Sequence, residues 1–224
     1  GKTSTITQIS SNANGMFTCC FTTDTQAYGI KTITAYGLTS NISVAGSFAI
    51  KANMISVMPT QGTIGTLVAI FGNGFGSAEN IVVSLGTTPT ITTGIASNDG
   101  SFMTTFAVNV QPCGITTITA KGISTMAEAT SWFNIRPNIT FISPICGTVG
   151  CVVRVMGSGF GAAESVRLSF GNVVSINILT TDESGRFDST FIVNTQAYGT
   201  KTIMAAGLMS GQTGSNMFYL LPNI

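Results

Sequence analysis

Gly72-Asn-Gly-Phe-Gly-Ser-Ala-Glu79 and Gly157-Ser-Gly-Phe-Gly-Ala-Ala-Glu164 are one segment written twice, 85 residues apart. Sliding the 224-residue chain against itself by that offset aligns it without a gap. Gly15, Gly100 and Gly185 fall in one column, and Gly37, Gly122 and Gly207 in another. Phe17, Phe102 and Phe187 share a column, as do Phe21, Phe106 and Phe191, and Phe48, Phe133 and Phe218. Gly86 recurs as Gly171, and Gly1 has the same phase. A fixed internal period dictates architecture, because each period is one structural unit. This one is longer than the ~20–50 residues of a solenoid repeat, so each unit should be a domain with its own core.

Side-chain alternation says what kind of domain. Thr66-Leu-Val-Ala-Ile-Phe71 corresponds to Cys151-Val-Val-Arg-Val-Met156. Arg154 stands in the column of Ala69, so that parity faces water and Val68, Ile70, Val153 and Val155 face inward. In the next strand Arg167 replaces Val82, which places Ile81, Val83, Leu85, Val166, Leu168 and Phe170 in the core. Asn14-Gly15, Asp99-Gly100 and Ser184-Gly185 read as tight hairpin turns with a positive φ. No window carries a helical apolar period. The fold class is all-β, as tandem immunoglobulin-like sandwiches arranged end to end, each close to the ~100 residues of such a domain.

Composition agrees and excludes several functions. Hydrophobic residues make up 44% and charged residues only 8%, against about 25% charged in a typical domain. Thr, Ser, Asn and Gly replace the charge, which suits exposed strands. The net charge is +1 with no basic patch, so nucleic acid is not an expected partner. Apolar runs are broken within a few residues, far short of the ~20 of a spanning helix, so no membrane insertion by this segment is expected. With no His and no Cys-x-x-Cys pair, zinc sites of the Cys/His kind are excluded, and no cofactor is expected.

Pro59-Thr-Gln-Gly-Thr-Ile-Gly-Thr-Leu-Val-Ala-Ile-Phe-Gly-Asn-Gly-Phe-Gly76 resembles the opening of IPT/TIG domains, with a Pro, a Gly-Thr pair, a strand and a Gly-x-Gly-Phe turn. Pro144 to Gly161 is similar again. Asp99-Gly-Ser-Phe-x-x-x-Phe106 with its downstream Gly-x-x-x-Ile-Thr-Ala-x-Gly resembles tandem repeats of large bacterial and archaeal surface proteins. The resemblance implies an immunoglobulin-like fold and an extracellular, cell-surface location; its matched columns are turn glycines and core aromatics, so it carries no functional residues across. The phase sets units at 1–53, 54–138 and 139–223, closed by the column Asn53, Asn138 and Asn223, with Ile224 opening a further unit. Pro137 stiffens the short joint at 135–139.

Candidate sites are few. Catalysis would need carboxylates facing one cleft, and the only cluster, Asp182, Glu183 and Asp188, lies around a turn and is not part of the repeat. Calcium is the alternative reading of that cluster. An enzyme is not expected. Glu79 and Glu164 repeat after the Gly-Phe-Gly turn and should accept backbone N–H groups there. Trp132 has the parity of an outer face, where an exposed aromatic marks contact with a sugar or a protein. Tyr28, Cys113 and Tyr198 share a loop column. Cys146 and Cys151 flank a bend and are expected to form a disulfide. Cys19 should be buried, and Cys20 and Cys113 are candidates for a bond between chains. Asn41 and Asn138 begin glycosylation sequons.

The expected function is structural: a rod in an extracellular surface layer, fibre or appendage, with copies of itself or neighbouring surface-protein subunits as partners. The alternatives are an adhesin stalk or carbohydrate-binding module with glycan partners, and a spacer region of a secreted enzyme. The first unit lacks counterparts of residues 54–85, so its Phe17, Phe21, Ile33 and Phe48 should lack a facing layer. A window from a longer chain is the expected origin, and strands donated by another subunit are the alternative.

Overall fold

The computed structural model describes residues 5–222. Gly1, Asn223 and Ile224 lie outside the described residues. All regular structure is β. Among the described residues the first unit has two strands, β1 (Gly29–Tyr36) and β2 (Ser43–Ile50), paired antiparallel. The second has eight: β3 (Asn53–Met58), β4 (Gln61–Gly62), β5 (Leu67–Asn73), β6 (Asn80–Leu85), β7 (Thr88–Ile95), β8 (Phe102–Ala107), β9 (Gly114–Gly122) and β10 (Glu128–Ile135). The third has the same eight at the 85-residue offset: β11 (Asn138–Ser143), β12 (Cys146–Gly147), β13 (Val152–Ser158), β14 (Ser165–Phe170), β15 (Val173–Thr180), β16 (Phe187–Ile192), β17 (Gly199–Gly207) and β18 (Thr213–Leu220).

In the second unit the strands form two sheets, ordered β3-β5-β8 and β4-β10-β9-β6-β7. The third unit repeats them as β11-β13-β16 and β12-β18-β17-β14-β15. The opening segment pairs antiparallel in the first sheet, then crosses after a cis Met58–Pro59 or Ser143–Pro144 bond and pairs parallel with the last strand of the second sheet. This strand order, with its switched first strand, is that of an immunoglobulin-like sandwich.

The inward columns behave as their alternation predicts. Val68, Ile70, Ile81, Val83 and Leu85, and their counterparts Val153, Val155, Val166, Leu168 and Phe170, are fully buried. The cores are separate: one cluster runs from Val57 to Ile135 and the other from Ile139 to Leu220. The accessible surface is 12629 Å² for 23.1 kDa, where a compact monomer of that mass would show about 9,700 Å². Two separate cores and the wholly exposed run at 5–25 of the first unit account for that surplus. Asn53 and Asn138 each open the first strand of the unit that follows. No helix among the described residues is long and apolar enough to cross a membrane.

Three expectations need correction. The turns at Gly100 and Gly185 do have positive φ, 79° and 74°, but they are not hairpins. They join β7 to β8 and β15 to β16, which lie in opposite sheets. Cys146 and Cys151 do not pair, and both are free thiols. Cys151 lies over Gly147, its Sγ 2.8 Å from where a Cβ would stand, and packs against the core; Cys146, one residue earlier on an extended strand, is exposed. Adjacent residues of a strand point to opposite sides, so the exposed Cys146 and the Cys151 that covers Gly147 lie on different faces of that strand. Cys19 is exposed and not buried. Its column faces a layer that the described residues of the first unit do not contain. Phe17 is 49% exposed there, against 5% for both Phe102 and Phe187.

Candidate functional site

The repeated Gly-Phe-Gly turn is where neighbouring units meet. Phe75 fills its own unit's core, edge-on to Phe102 at 5.0 Å between ring centroids. Its N–H donates to the Gly100 carbonyl at 3.0 Å, and its carbonyl accepts the Tyr28 N–H of the preceding unit at 2.7 Å. One period later Phe160 donates to the Gly185 carbonyl at 3.1 Å and accepts the Cys113 N–H of the second unit at 2.8 Å. The contact is made by backbone, and the same columns make it both times.

Close approach is what the glycines supply. A Cβ on Gly100 would run into the Phe75 carbonyl oxygen and stand 2.7 Å from the Ala27 Cα of the first unit. Its φ of 79° is also one that L side chains rarely adopt. Gly100→Ala is therefore expected to cost more than about 1 kcal/mol and to open the joint. Native-state hydrogen exchange checks this: the Tyr28 amide should lose protection while β9 and β10 keep theirs.

Beneath the turn sits a buried carboxylate. Glu79 is 5% exposed and Glu164 is 1% exposed. Glu79 accepts the Gly76 N–H of its own turn, as expected from sequence. Its other oxygen reaches 45 and 46 residues ahead to accept the Ser124 and Thr125 N–H groups at 3.1 and 3.0 Å, and the Thr125 hydroxyl bonds it as well. Glu164 repeats this with the Gly161 N–H, the Ser210 N–H at 3.0 Å and the Ser210 hydroxyl at 3.0 Å. The second half of the arrangement explains the column Gly37, Gly122 and Gly207: a Cβ on Gly122 would sit 2.5 Å from the Glu79 carboxyl carbon. Burial raises the Glu79 pKa, but the amides of Thr125 and Gly76, the Thr125 hydroxyl and the Ser124 amide together outweigh it and hold the group below its ordinary value. Each of the two complete units thus has a carboxylate clamp that ties its first half to its last hairpin.

Another buried group escaped sequence reading. Gln111 donates from Nε2 to the Leu85 carbonyl at 2.9 Å, and Gln196 does the same to Phe170 at 3.1 Å. Gln26, Gln111 and Gln196 stand in one column at the 85-residue offset, a signal that would have marked them.

The remaining sequence candidates are scattered. Trp132 is 55% exposed on β10, opposite Thr117 of β9. Cys20 is exposed in the first unit. Cys113 is half-buried at the joint between the second and third units, where its side chain meets Ser210 and burial pushes its thiol pKa up. Asn41 is exposed in a turn, its Oδ1 accepting the Tyr36 hydroxyl at 2.6 Å. Asn138 is half-buried, and its backbone packs against Gly214. The acidic cluster does not converge. Asp188 pairs with Arg154, whose guanidinium lowers its pKa, while Asp182 caps its own turn through the Ser184 and Arg186 N–H groups at 2.9 Å each. Among the described residues no group of three His, Cys, Asp or Glu could hold a metal.

No family model and no curated protein matches this sequence. Solved structures with some likeness include the Yersinia pseudotuberculosis adhesin InvE, with TM-score 0.34, 11% identity, and 76% of this chain matched to 59% of that one. The BSP domain of a biofilm associated protein has TM-score 0.27 and 15% identity, over 75% and 29% of the two chains. SGBP-B from a xyloglucan utilization locus of Bacteroides uniformis has TM-score 0.28 and 18% identity, over 75% and 49%. The matches span less than two thirds of each of these proteins. The strand order, and not these scores, establishes the fold.

Proposed function

We propose that this chain is a non-enzymatic structural rod of an extracellular surface layer, fibre or appendage, built from IPT/TIG-like repeats. The observation that carries the reading is the joint used twice: Tyr28 to Phe75 and Cys113 to Phe160, each a backbone bond into the Gly-Phe-Gly turn. Such joints transmit tension from one sandwich to the next without a flexible linker. The opening Pro, Gly-Thr pair and Gly-x-Gly-Phe turn support the family assignment. A surface nearly free of charge but rich in Thr and Ser supports an exposed, passive role. The absence of His and the structural engagement of Glu79, Glu164, Asp182 and Asp188 support a non-catalytic one.

Mechanical stretching tests this reading. The complete units should release one at a time, each lengthening the chain by about 280 Å for its 85 residues. In solution the radius of gyration should exceed the about 17 Å of a compact chain of this length. A single-step rupture, or a compact particle, would remove the rod. Surface labelling of the source cells decides the location.

A binding role is favoured by one observation. Trp132 stands exposed on a sheet face among threonines, and its column holds Ser47 and Met217 in the other units. An aromatic ring flanked by hydroxyls suits a sugar face. Glycan-array binding lost in Trp132→Phe and Trp132→Ala would establish that reading, and an array blank for the parent chain would end it.

A further inference from the structure

We propose that the strip Gln61, Trp132, Asn134 and Arg136 binds a linear polysaccharide of uronic acids, with the Trp132 ring on a sugar face and Arg136 on a sugar carboxylate. This rests on the sugar reading of Trp132 and adds the ligand's charge. Trp132, Asn134 and Arg136 alternate with the buried Phe133 and Ile135, so the three side chains leave one face of the sheet. Arg136 lies one residue past β10, but its N–H donates to the Gly62 carbonyl at 2.8 Å and so keeps the alternation. From Trp132 to Arg136 the strip spans about 13 Å of strand rise, longer than one pyranose ring. β4 runs parallel beside β10 and sets Gln61 next to Asn134. On the other side β9 sets Thr117 beside Trp132, and Ile115, 77% exposed, beside Asn134.

The hydrogen-bond inventory specifies the occupant's chemistry. Gln61 Oε1 accepts from Arg136 Nε at 3.0 Å and from Arg136 Nη2 at 2.7 Å. That holds the guanidinium by one edge and leaves its Nη1–Nη2 edge open. A planar edge of this kind takes both oxygens of a carboxylate. The side-chain N–H groups of Gln61, Asn134 and Trp132 donate to nothing among the described residues. Four side chains of the strip thus offer N–H donors, and none is a carboxylate. The acid of β10, Glu128, is four residues from Trp132 and already paired with Lys121 at 2.8 Å. Arg136 has no ion pair among the described residues. A cation without a counter-ion, beside unused donors and an exposed ring, complements a ligand that is ring-faced, rich in acceptors and anionic. The third unit repeats the backbone without this chemistry: its columns hold Cys146, Met217, Tyr219 and Leu221, none with a side-chain N–H. One site per pair of complete units follows.

The test titrates the whole chain with tetragalacturonate, tetramannuronate and the carboxyl-reduced form of each. A uronate oligomer should bind one-to-one and shift the emission of Trp132, the only tryptophan. Its reduced form should bind at least tenfold more weakly, since hydrogen bonds between charged groups are lost. Arg136→Gln should weaken the acid oligomer as much and leave the reduced one unchanged. Gln61→Glu, which supplies Arg136 with a counter-ion in place, should do the same. Gln61 and Arg136 are exposed, so thermal melts by circular dichroism should match the parent for both variants. Acid and reduced oligomers bound equally, and lost together in Trp132→Ala, would keep the sugar reading and overturn the uronate ligand. Binding of none of the four would overturn both. Polyglutamate bound as tightly as the uronates, or uronate binding indifferent to Trp132→Ala, would reduce the site to bare charge attraction and overturn the proposal.

Discussion

Glu79→Ala should lower the unfolding free energy of the second unit by about 3 kcal/mol, because it strands several buried donors at once. The Gly76, Ser124 and Thr125 N–H groups would each lose a charged acceptor. Trp132, the only tryptophan, lies in that unit, so its fluorescence follows the affected domain alone. Glu164→Ala should leave the Trp132 transition in place and remove the third unit's share of the circular dichroism change. Glu79 also gives an acid limb. Its folded pKa lies below the ordinary 4.5, so its contribution is complete above that value and is lost as pH falls through the lower, folded one. Denaturation midpoints read by Trp132 should therefore drop in the range below about pH 4.5, and Glu79→Ala should flatten that part of the drop. A parent midpoint that stays constant from pH 6 to pH 3 would remove the clamp from the account.

Phe133→Ala is expected to cost about 4 kcal/mol, as full burial of a phenyl ring implies. Phe133 is 0% exposed in the centre of its cluster. Phe218→Ala should do the same to the third unit, where the ring meets Phe170 at 5.6 Å between centroids. Phe48→Ala, in the same column of the first unit, should cost below about 1 kcal/mol in this chain, since among the described residues no facing sheet packs on it. The three variants share one chemical change, so their contrast isolates the missing layer. Equal losses at Phe48 and Phe133 would mean that the first unit has a closed core of its own.

Much of this fold was legible in the residues because the repeat acts as its own alignment. Two copies of each strand show which parity tolerates charge: Arg154 against Ala69 and Arg167 against Val82 were enough to orient β5, β13, β6 and β14. The turn glycines were legible for the same reason, but not which sheets they join, since a positive φ describes one residue and not the pairing of the strands beside it. The glutamates were recognised as turn acceptors from local phase. Their other partners, 45 and 46 residues away, depend on how the last hairpin returns over the turn, which no local pattern encodes. The cysteine pairing expected across the bend is not formed in the structure: Cys151 covers Gly147, while Cys146 is exposed.

The bond between units runs from backbone to backbone, and its donors are Tyr28 and Cys113, residues of one column. A peptide N–H is supplied by every residue but proline, so the joint places little demand on side-chain identity there. A lineage could therefore lengthen or shorten such a protein by unequal recombination between its own repeats. Each newly adjacent pair would fit at once, with no compensating substitution. Growth in whole 85-residue steps would be nearly neutral for folding, while an insertion out of phase would be purged.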